Sequence, residues 1–207
     1  CYGIFWYSNA TITNCTFSGN SASNGGGGVA CYNSYPTIIN CTFSRNLTNK
    51  GGGIAIYYRR PTITNCILWG DSPEEIYVHD STPVITYSVV QGSWSGPGNI
   101  NTDPCFADPN NDDYHLKSQA GRWNTKGQTW VQDAATSSCI DAGDPMSLIG
   151  NEQFPNGGII NMGAYGGTSQ ASKSYFGGPV CEIIVAGDIN GDCKGNFLDF
   201  GLMSLHW

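Results

Sequence analysis

The eleven residues PTIINCTFSRN, Pro36–Asn46, decide the fold because the chain repeats them. The same pattern reads ATITNCTFSGN from Ala10, PTITNCILWGD from Pro61 and, with more changes, PVITYSVVQGS from Pro83. These starts are 26, 25 and 22 residues apart (36−10, 61−36, 83−61). A repeated unit of this length cannot bury its apolar face alone and must stack on its neighbours. The repeat therefore predicts a solenoid.

Aligning the four copies places equivalent residues in columns, and strand alternation gives each column a direction. Three apolar columns are expected inside the solenoid: Ile12, Ile38, Ile63 and Ile85; Cys15, Cys41, Cys66 and Ser88; Phe17, Phe43, Leu68 and Val90. A further column contains Asn14, Asn40, Asn65 and Tyr87. Asparagine tolerates the left-handed backbone of a sharp bend, and its amide can bond to the copy above. This column predicts an asparagine ladder at a corner.

The cysteines of the second column predict thiols rather than disulfides. Side chains stacked in parallel about 4.8 Å apart rarely reach the dihedral of about 90° that a disulfide needs. We therefore expect Cys15, Cys41 and Cys66 to be buried free thiols that act as small hydrophobes. Outside this column, Cys105 with Cys139 and Cys181 with Cys193 are candidate disulfides for an exported protein.

A further strand precedes each copy and begins at Gly3, Gly28, Gly53 or Glu75. One phase of these strands is apolar and predicted to point inward: Ile4, Val29, Ile54 and Ile76, with Trp6, Cys31, Ile56 and Val78. Three short strands per turn of roughly 25 residues resemble the right-handed parallel β-helix of pectate lyases and related extracellular proteins. The resemblance covers residues 3 to about 100 and implies an all-β solenoid.

The opposite phase of these strands predicts an outward aromatic face. It places Tyr7, Tyr32, Tyr57 and His79 in one column and Phe5, Ala30, Ala55 and Tyr77 in the next. Exposed rings at coil spacing offer surfaces for the apolar faces of sugars, and arginines can pair with uronate carboxylates. The candidate carbohydrate-binding residues are Tyr7, Tyr32, Tyr57, Tyr77, His79, Arg59 and Arg60. Alternatively, tyrosine is simply a good strand residue that stabilises the stack.

The composition argues against two classes of partner. Charged residues make up 12% of the 207-residue chain, and the net charge is −7. Nucleic acid and anionic membranes need clusters of Lys and Arg, so neither is an expected partner. The chain has no run of about 18 apolar residues, so we expect no membrane-spanning segment.

Catalysis has weaker support in the sequence. Glycoside hydrolysis needs two carboxylates about 5 to 10 Å apart, and the resemblance implies that lyases of this fold use calcium-binding acids with an Arg or Lys base. The coils offer Asp71, Glu74, Glu75 and Asp80, with His79 beside Asp80. Adjacent strand residues point to opposite faces, and acids in connections are commonly solvated turn residues. We therefore expect binding rather than catalysis, and the catalytic residues are unknown.

After Gly98 the repeat stops. Phrases at 103–106, 108–116, 139–145 and 160–167 resemble the closing module of bacterial surface β-helix proteins that is called the choice-of-anchor Q domain. Residues 101–167 are therefore predicted to form the terminal coils and cap of the solenoid, and 168–186 a linker. Five acids of this segment either bind calcium or occupy turns: Asp108, Asp112, Asp113, Asp141 and Asp144.

The last segment, 187–207, contains a calcium-loop pattern. Loop positions 1, 3, 5, 7, 9 and 12 are Asp188, Asn190, Asp192, Lys194, Asn196 and Asp199, where Lys194 would bind through its backbone carbonyl. Position 6 is Cys193 rather than Gly, so the general EF-hand pattern is imperfect. The form GDINGDCKGNFLDFGLMSLHW resembles a type I dockerin repeat, which implies calcium as cofactor and a cohesin-type protein as partner. The family carries two such repeats, and this sequence shows one.

Together these patterns predict β-helix coils in 1–100, followed by the cap, the linker and the dockerin-like half module. The chain opens inside a repeat, CYGIFWYSN, with neither initiator Met nor signal peptide, so we expect further coils upstream. The favoured function is a secreted or cell-surface bacterial β-helix protein that binds a polysaccharide, acidic if it contains uronates, and attaches through calcium. The alternatives are a polysaccharide lyase or glycoside hydrolase whose catalytic coils are missing, and a structural adhesin or spacer.

Overall fold

The chain forms a parallel β-solenoid with a second segment packed along its side. The structure, a computed structural model, describes residues 3–177, with side chains from Tyr7 onward. The predicted Cys181–Cys193 disulfide, the calcium loop from Asp188 to Asp199 and residues 178–186 of the predicted linker lie outside the described residues.

Within residues 3–177, equivalent strands of successive coils pair in parallel into three four-stranded sheets. The first sheet contains β1 (Gly3–Trp6), β4 (Val29–Tyr32), β7 (Ile54–Tyr57) and β10 (Ile76–His79). The second contains β2 (Thr11–Thr13), β5 (Thr37–Ile39), β8 (Thr62–Thr64) and β11 (Val84–Thr86). The third contains β3 (Thr16–Ser18), β6 (Thr42–Ser44), β9 (Ile67–Leu68) and β12 (Val89–Val90). The predicted all-β parallel solenoid is confirmed.

The predicted apolar columns form the core between the three sheets. Ile12, Ile38, Ile63 and Ile85 follow one another in strand register, as do Phe17, Phe43, Leu68 and Val90. Phe17 and Phe43 stack with ring centroids 4.8 Å apart. Cys41 and Cys66 are buried free thiols, as predicted, while Cys15 is a free thiol that is only half-buried. Stacking of equivalent apolar residues therefore helps to hold the coils together.

The predicted register of the first strand is wrong by one residue. Trp6, not Tyr7, pairs with Tyr32, and Tyr32 pairs with Tyr57. The corner between the first and second sheets has a fixed length: six residues separate Tyr32 from Ile38 and Trp6 from Ile12 (38−32, 12−6). An alignment that starts from Gly3 and Gly28 gives the wrong partner because the glycine connection varies in length. Tyr7 and Ile4 therefore do not occupy the columns predicted for them.

The asparagine column lies at a corner, as predicted, but its amides mainly have other partners. Asn14, Asn40 and Asn65 have left-handed φ angles of 50°, 48° and 56°. Asn14 Nδ2 donates to the carbonyls of Ala164 and Gly166 at 3.0 and 2.8 Å. Within the column, the Asn65 and Asn40 amides are joined by a weak contact of 3.4 Å. These corners thus bind a distant segment of the chain more than they bind one another.

A true side-chain ladder runs through a different column, Asn20, Asn46 and Asp71, which are the last residues of three repeat copies. Asn46 Oδ1 accepts from Asn20 N and Nδ2 at 3.0 and 2.8 Å. Asp71 Oδ1 accepts from Asn46 N and Nδ2 at 2.7 and 2.8 Å. Asn46 and Asp71 are buried. The ladder joins three coils through hydrogen bonds and ends at a carboxyl group.

The segment after Gly98 differs from the predicted terminal coils. Ile100 adds one parallel bridge to Val89, and the strands that follow are antiparallel pairs. They are β13 (Phe106–Asp108) with β14 (Asp113–Leu116), linked by a 3-10 turn at Pro109–Asn111, and β15 (Arg122–Asn124) with β16 (Thr129–Val131). The repeat ends here because the residues no longer supply the columns that a further coil needs. We call residues 103–177 the returning segment.

The returning segment covers the outer face of the third sheet. Ile67 and Val89, which alternate with the inward Leu68 and Val90, pack in a second buried cluster. The other buried members of that cluster are Phe106, Tyr114, Leu116, Cys139, Ile140 and Met162. Cys105 and Cys139 are free thiols rather than the predicted disulfide. The third sheet, whose strands carry apolar residues on both faces, is therefore buried on both sides.

The segment then crosses successive coils at the asparagine corners. Asn40 Nδ2 donates to Asn161 O at 3.0 Å, and Gly163 N donates to Asn65 O at 2.8 Å. Gly163 has φ +90°, and a Cβ there would lie 2.8 Å from Ile67 Cδ1. A side chain at this position would therefore both strain the backbone and separate the segment from the third sheet.

Replacing Asn40 by Gly should lower the free energy of unfolding by about 1–3 kcal/mol, because the buried carbonyl of Asn161 loses its donor. Glycine keeps the left-handed corner free of strain, so urea denaturation isolates the contribution of the amide. The matched control is Asn33→Gly, at the corner after the first sheet, where φ is also 48°. An equal loss in both variants would contradict the docking role of Asn40.

Candidate functional site: an aromatic corner beside the first sheet

The predicted outward column of the first sheet forms a closed aromatic stack. The rings of Tyr32 and Tyr57 lie face to face, with centroids 4.4 Å apart and an angle of 5° between their planes. Tyr77 and His79 lie against Tyr57 at 5.7 and 6.0 Å. Four of the predicted residues are thus brought together. However, the two stacked rings offer each other the faces that a sugar would need.

The glycine connections further cover this stack. A Cβ on Gly25 would lie 3.0 Å from the Tyr32 hydroxyl and 3.1 Å from the Tyr57 hydroxyl. Lys50 Nζ lies 5.0 Å from the centre of the Tyr77 ring. Burial, together with the neighbouring Tyr32, Tyr77 and Tyr58, raises the pKa of Tyr57 to about 12. The tyrosines of the stack are therefore half-buried rather than fully exposed.

The exposed aromatic rings lie one position further along, where the chain turns out of the first sheet. Tyr7 and Tyr58 occupy equivalent corners, with 76% and 49% of their surface exposed. Their φ angles are 50° and 71°, a left-handed conformation that is costly for a bulky side chain. Tyr35, also 49% exposed, lies beside the first of these corners, where its N–H donates to Ser8 O at 3.3 Å.

Charged groups surround these rings. The Arg59 guanidinium lies 5.6 Å from the centre of the Tyr35 ring, a cation–π arrangement. Arg60 Nε donates to Thr82 O at 3.0 Å, and the Ser81 hydroxyl donates to Arg59 O. These contacts hold the backbone that carries both arginines. We define the corner patch as Tyr7, Tyr35, Tyr58, Arg59, Arg60, His79 and Asp80.

His79 and Asp80 meet at this patch, contrary to the expectation that adjacent residues diverge. Asp80 lies at the corner, with φ 50°, rather than within the strand. Its Oδ2 lies 3.6 Å from His79 Nε2, and both side chains are exposed. The His79 ring also meets the Tyr58 ring edge to face at 5.4 Å. The patch thus combines rings, two arginines and one exposed acid with a histidine.

The sequence prediction found part of this patch. Arg59, Arg60 and His79 belong to it, and Tyr7 belongs to it through its corner position rather than through a strand column. Tyr32, Tyr57 and Tyr77 form the stack beneath. Tyr35 and Tyr58 were missed, although counting from the asparagine corners places Tyr58 level with Tyr7 (14−7 and 65−58 both give seven).

Two of the connection acids are buried, so their interpretation as solvated turn residues is wrong. Asp71 is 9% and Glu75 is 5% exposed, while Glu74 is exposed. Glu74 Oε1 accepts from Gly51 N at 2.8 Å. Buried carboxyl groups cannot reach a polymer in solution, so Asp71 and Glu75 do not form the carboxylate pair of a glycosidase.

The acids of the returning segment have protein partners. Asp112 bonds Arg45 at 2.8 Å, and Asp113 contacts His115 and Arg122. Asp108 accepts from Asn111, Asp141 from Gly157 and Ser174, and Asp144 from Met146. In the described part of the chain, no group of three or more His, Cys, Asp or Glu side chains is arranged to hold a metal ion. Asp112 and Asp113 thus form ion pairs, whereas Asp108, Asp141 and Asp144 bond to nearby backbone and polar side chains.

Asp113 anchors a charged cluster that is partly buried. Its Oδ1 lies 2.6 Å from His115 Nδ1, and its Oδ2 lies 3.4 Å from an Arg122 nitrogen. Arg122 also bonds Asp133 at 3.1 Å, and His115 stacks on Tyr165 with centroids 3.6 Å apart. Burial raises the pKa of Asp113, but the hydrogen bonds from His115 and the charges of His115 and Arg122 outweigh burial and hold it below its ordinary value. The cluster joins β14 to β15 and has no exposed nucleophile in it.

Comparison with known proteins finds two family models that match parts of the chain. A family model described as disaggregatase related matches residues 38–143, which is 106 of 207 residues (143−38+1). The repeat of the Chlamydia polymorphic membrane protein matches residues 14–32. No curated protein and no solved structure gives a significant match. Among residues 3–177 no helix has the length and apolar character that crossing a membrane requires.

Replacing Asp113 by Asn should lower the free energy of unfolding at pH 7 by about 1–3 kcal/mol, because His115 and Arg122 lose a charged acceptor. A carboxyl whose native pKa is depressed stabilises the fold above its ordinary pKa and loses that effect as pH falls through the native pKa. The difference between wild type and variant should therefore shrink below about pH 4. Asp112→Asn, at an exposed ion pair, is the control and should cost less than about 1 kcal/mol. A difference that stays constant down to pH 2 would contradict this assignment.

Proposed function

The chain belongs to the disaggregatase-related family, and on that premise we propose that it binds an extracellular polysaccharide through the corner patch. The observation that carries the proposal is the exposure of Tyr7, Tyr35 and Tyr58 beside Arg59. Aromatic rings bury the apolar faces of sugars, and a guanidinium pairs with a carboxylate in a fixed planar geometry. The patch therefore fits a polymer that presents both features, such as a uronate-containing chain.

The backbone supports a binding role for these tyrosines rather than a stabilising one. A left-handed conformation costs a residue with a Cβ roughly 1–2 kcal/mol, and asparagine or glycine would relieve that cost, as Asn33 does at the corner between Tyr7 and Tyr58. Tyr7 and Tyr58 instead place large rings in solvent. A residue that neither fills the core nor suits its backbone is best explained by a ligand.

Two alternatives rest on particular observations. The covered Tyr32–Tyr57 stack supports a spacer role, in which the solenoid is a rigid stalk, and this role is compatible with binding at the corner. The exposed His79–Asp80 pair supports lyase or hydrolase chemistry at the same patch, because it supplies an acid and a base side by side. The patch has only one carboxylate, Asp80, so we place binding before hydrolysis.

The location and attachment of the protein are the second part of the proposal. The match to a repeat of a Chlamydia membrane protein supports a surface or secreted location. The phrases in 103–167 support kinship with choice-of-anchor Q proteins, and the loop from Asp188 to Asp199 supports calcium-dependent attachment to a cohesin-type partner.

Replacing Tyr58 by Asn together with Tyr35 by Ala should reduce retention on immobilised polygalacturonate at least fivefold, because two exposed rings are lost. The melting temperature should stay the same or rise, since asparagine suits the left-handed corner. Phe176→Ala removes an equally exposed ring (61%) elsewhere and serves as the control. Unchanged retention of the double variant would exclude the corner patch as the binding site, and retention on dextran as strong as on polygalacturonate would exclude an acidic ligand.

Calcium should increase the helical circular dichroism signal of the full chain. The same concentration of Mg²⁺ should not produce this increase. Residues 3–177 contain no α-helix, so a gain in this signal reports on the remaining part of the chain. Replacing Asp188 and Asp199 together by Ala should abolish the gain. If excess calcium leaves the wild-type signal unchanged, the dockerin assignment is wrong.

A further inference from the structure

The buried ladder of Asn20, Asn46 and Asp71 ends in an unusual way. Asp71 uses only Oδ1 to accept from Asn46, at 2.7 and 2.8 Å. Beside it, Glu75 uses only Oε1, which accepts from Gly70 N and Asp71 N at 2.9 and 3.1 Å. The remaining oxygens, Asp71 Oδ2 and Glu75 Oε2, are buried and have no hydrogen-bond donor among the described residues.

These two oxygens belong to neighbouring carboxyl groups, because Glu75 Oε1 accepts from the backbone N–H of Asp71 at 3.1 Å. Burial and a hydrogen bond between the two side chains raise the pKa of Glu75. Two buried carboxylates in contact repel strongly when both are ionised. Relief requires a cationic partner or a shared proton. Neither residue forms a salt bridge in the described range, and the neighbouring Lys50 ammonium lies against the Tyr77 ring instead.

A metal ion is a poor fit between these groups. The oxygens that are already bonded face backbone and amide N–H donors, which a cation would have to displace. The other polar side chains at this end of the ladder are Asn46, Glu74 and Gln91, and the last two accept from Gly51 N and Gly70 N. Glu74 Oε1 and Gln91 Oε1 are therefore already engaged with backbone donors. A proton needs no further ligands and fits between two carboxyl oxygens.

We propose that Asp71 and Glu75 share one proton in the native state, in an O–H···O hydrogen bond that closes the polar ladder and makes the contact between the third and fourth coils sensitive to alkaline pH. Loss of the proton to solvent leaves two like charges in the interior of the corner. The pair thus acts as a switch that favours the packed form at acidic and neutral pH.

Hydrogen bonds connect the Asp71–Glu75 pair to the outer surface of the first sheet. Gly51 N donates to Glu74 Oε1 at 2.8 Å. Gly52 N donates to Glu74 O at 2.7 Å, and Gly53 N donates to Glu75 O at 3.1 Å. These glycines belong to the connection that carries Lys50 over Tyr77. Repulsion between Asp71 and Glu75 displaces the chain that holds this connection, so the cover over the aromatic stack loosens with it.

The sign of the pH effect follows from the direction of the shifts. Burial first, and then the hydrogen bond and charge of Asp71, raise the pKa of Glu75 to about 9, and burial also raises the pKa of Asp71. The native state then keeps a proton that the unfolded chain releases above an ordinary carboxyl pKa of about 4.3. The stability that the pair contributes is complete below that value and is lost progressively as pH rises toward 9.

Thermal unfolding of the full chain between pH 5 and pH 9 tests the proposal. In Glu75→Gln, an amide N–H that does not titrate donates the hydrogen bond in place of the shared proton. In Asp71→Asn, the amide of residue 71 plays the same part. The melting temperature of wild type should fall by roughly 5 °C or more relative to either variant over this range. Glu74→Gln, an exposed acid in the same connection, is the control and should follow wild type. Parallel curves for wild type and Glu75→Gln would overturn the proposal.

A measurement on the wild type alone keeps the test independent of variant folding. Infrared spectroscopy at pH 7 should show the carbonyl band of an un-ionised carboxyl group, and this band should disappear above pH 9. Its absence at pH 7 would refute the shared proton. Addition of Ca²⁺ at pH 9 should not restore the lost melting temperature; if it does so in wild type but not in Asp71→Asn, the pair holds a cation and the proposal is wrong.

Discussion

The structure depends on hydrogen bonds between corner asparagines and a segment that lies more than one hundred residues away in sequence. Asn14 and Asn40 sit in a left-handed conformation, so their side chains are not part of the strand ladders and remain available to the carbonyls of Ala164, Gly166 and Asn161. The same contact brings apolar residues of the returning segment onto Ile67 and Val89. One residue type thus turns the coil, anchors the segment and positions a second core.

Two polar columns join the coils in different ways. The corner column bonds outward to the returning segment, whereas Asn20, Asn46 and Asp71 bond to one another inside the turn. Buried polar groups are stable only when their partners are present, and the inner column runs out of amides at Asp71. The acid at that position turns a structural ladder into a group that can titrate. The proposed binding surface and the proposed titrating pair are both found where the repeat departs from its own pattern.

The sequence predicts the period, the apolar columns and the parallel pairing because these follow from local repetition. Alignment on the glycines gives the wrong register for the first strand because the glycine connection, unlike the corner, has no fixed length. The exposure of Tyr58 and the stacking of Tyr32 on Tyr57 depend on how corners and connections fold over the sheet, which alternation alone does not describe. The sequence does not predict that residues 161–166 dock on the asparagine corners, since nothing in the repeat specifies which segment the corner amides bind. The burial of Asp71 and Glu75 likewise follows from a connection whose path is set by its neighbours in space.

The direction of the returning segment has a mechanical consequence. An ordinary solenoid can lose its end coil first, since each repeat contacts only the next one. Here residues 161–166 contact three successive coils, with separate bonds to Asn65, Asn40 and Asn14. A force that pulls the coils apart along the stack therefore loads those bonds together, in shear, rather than one after another. The returning segment therefore makes the coils resist tension as a unit.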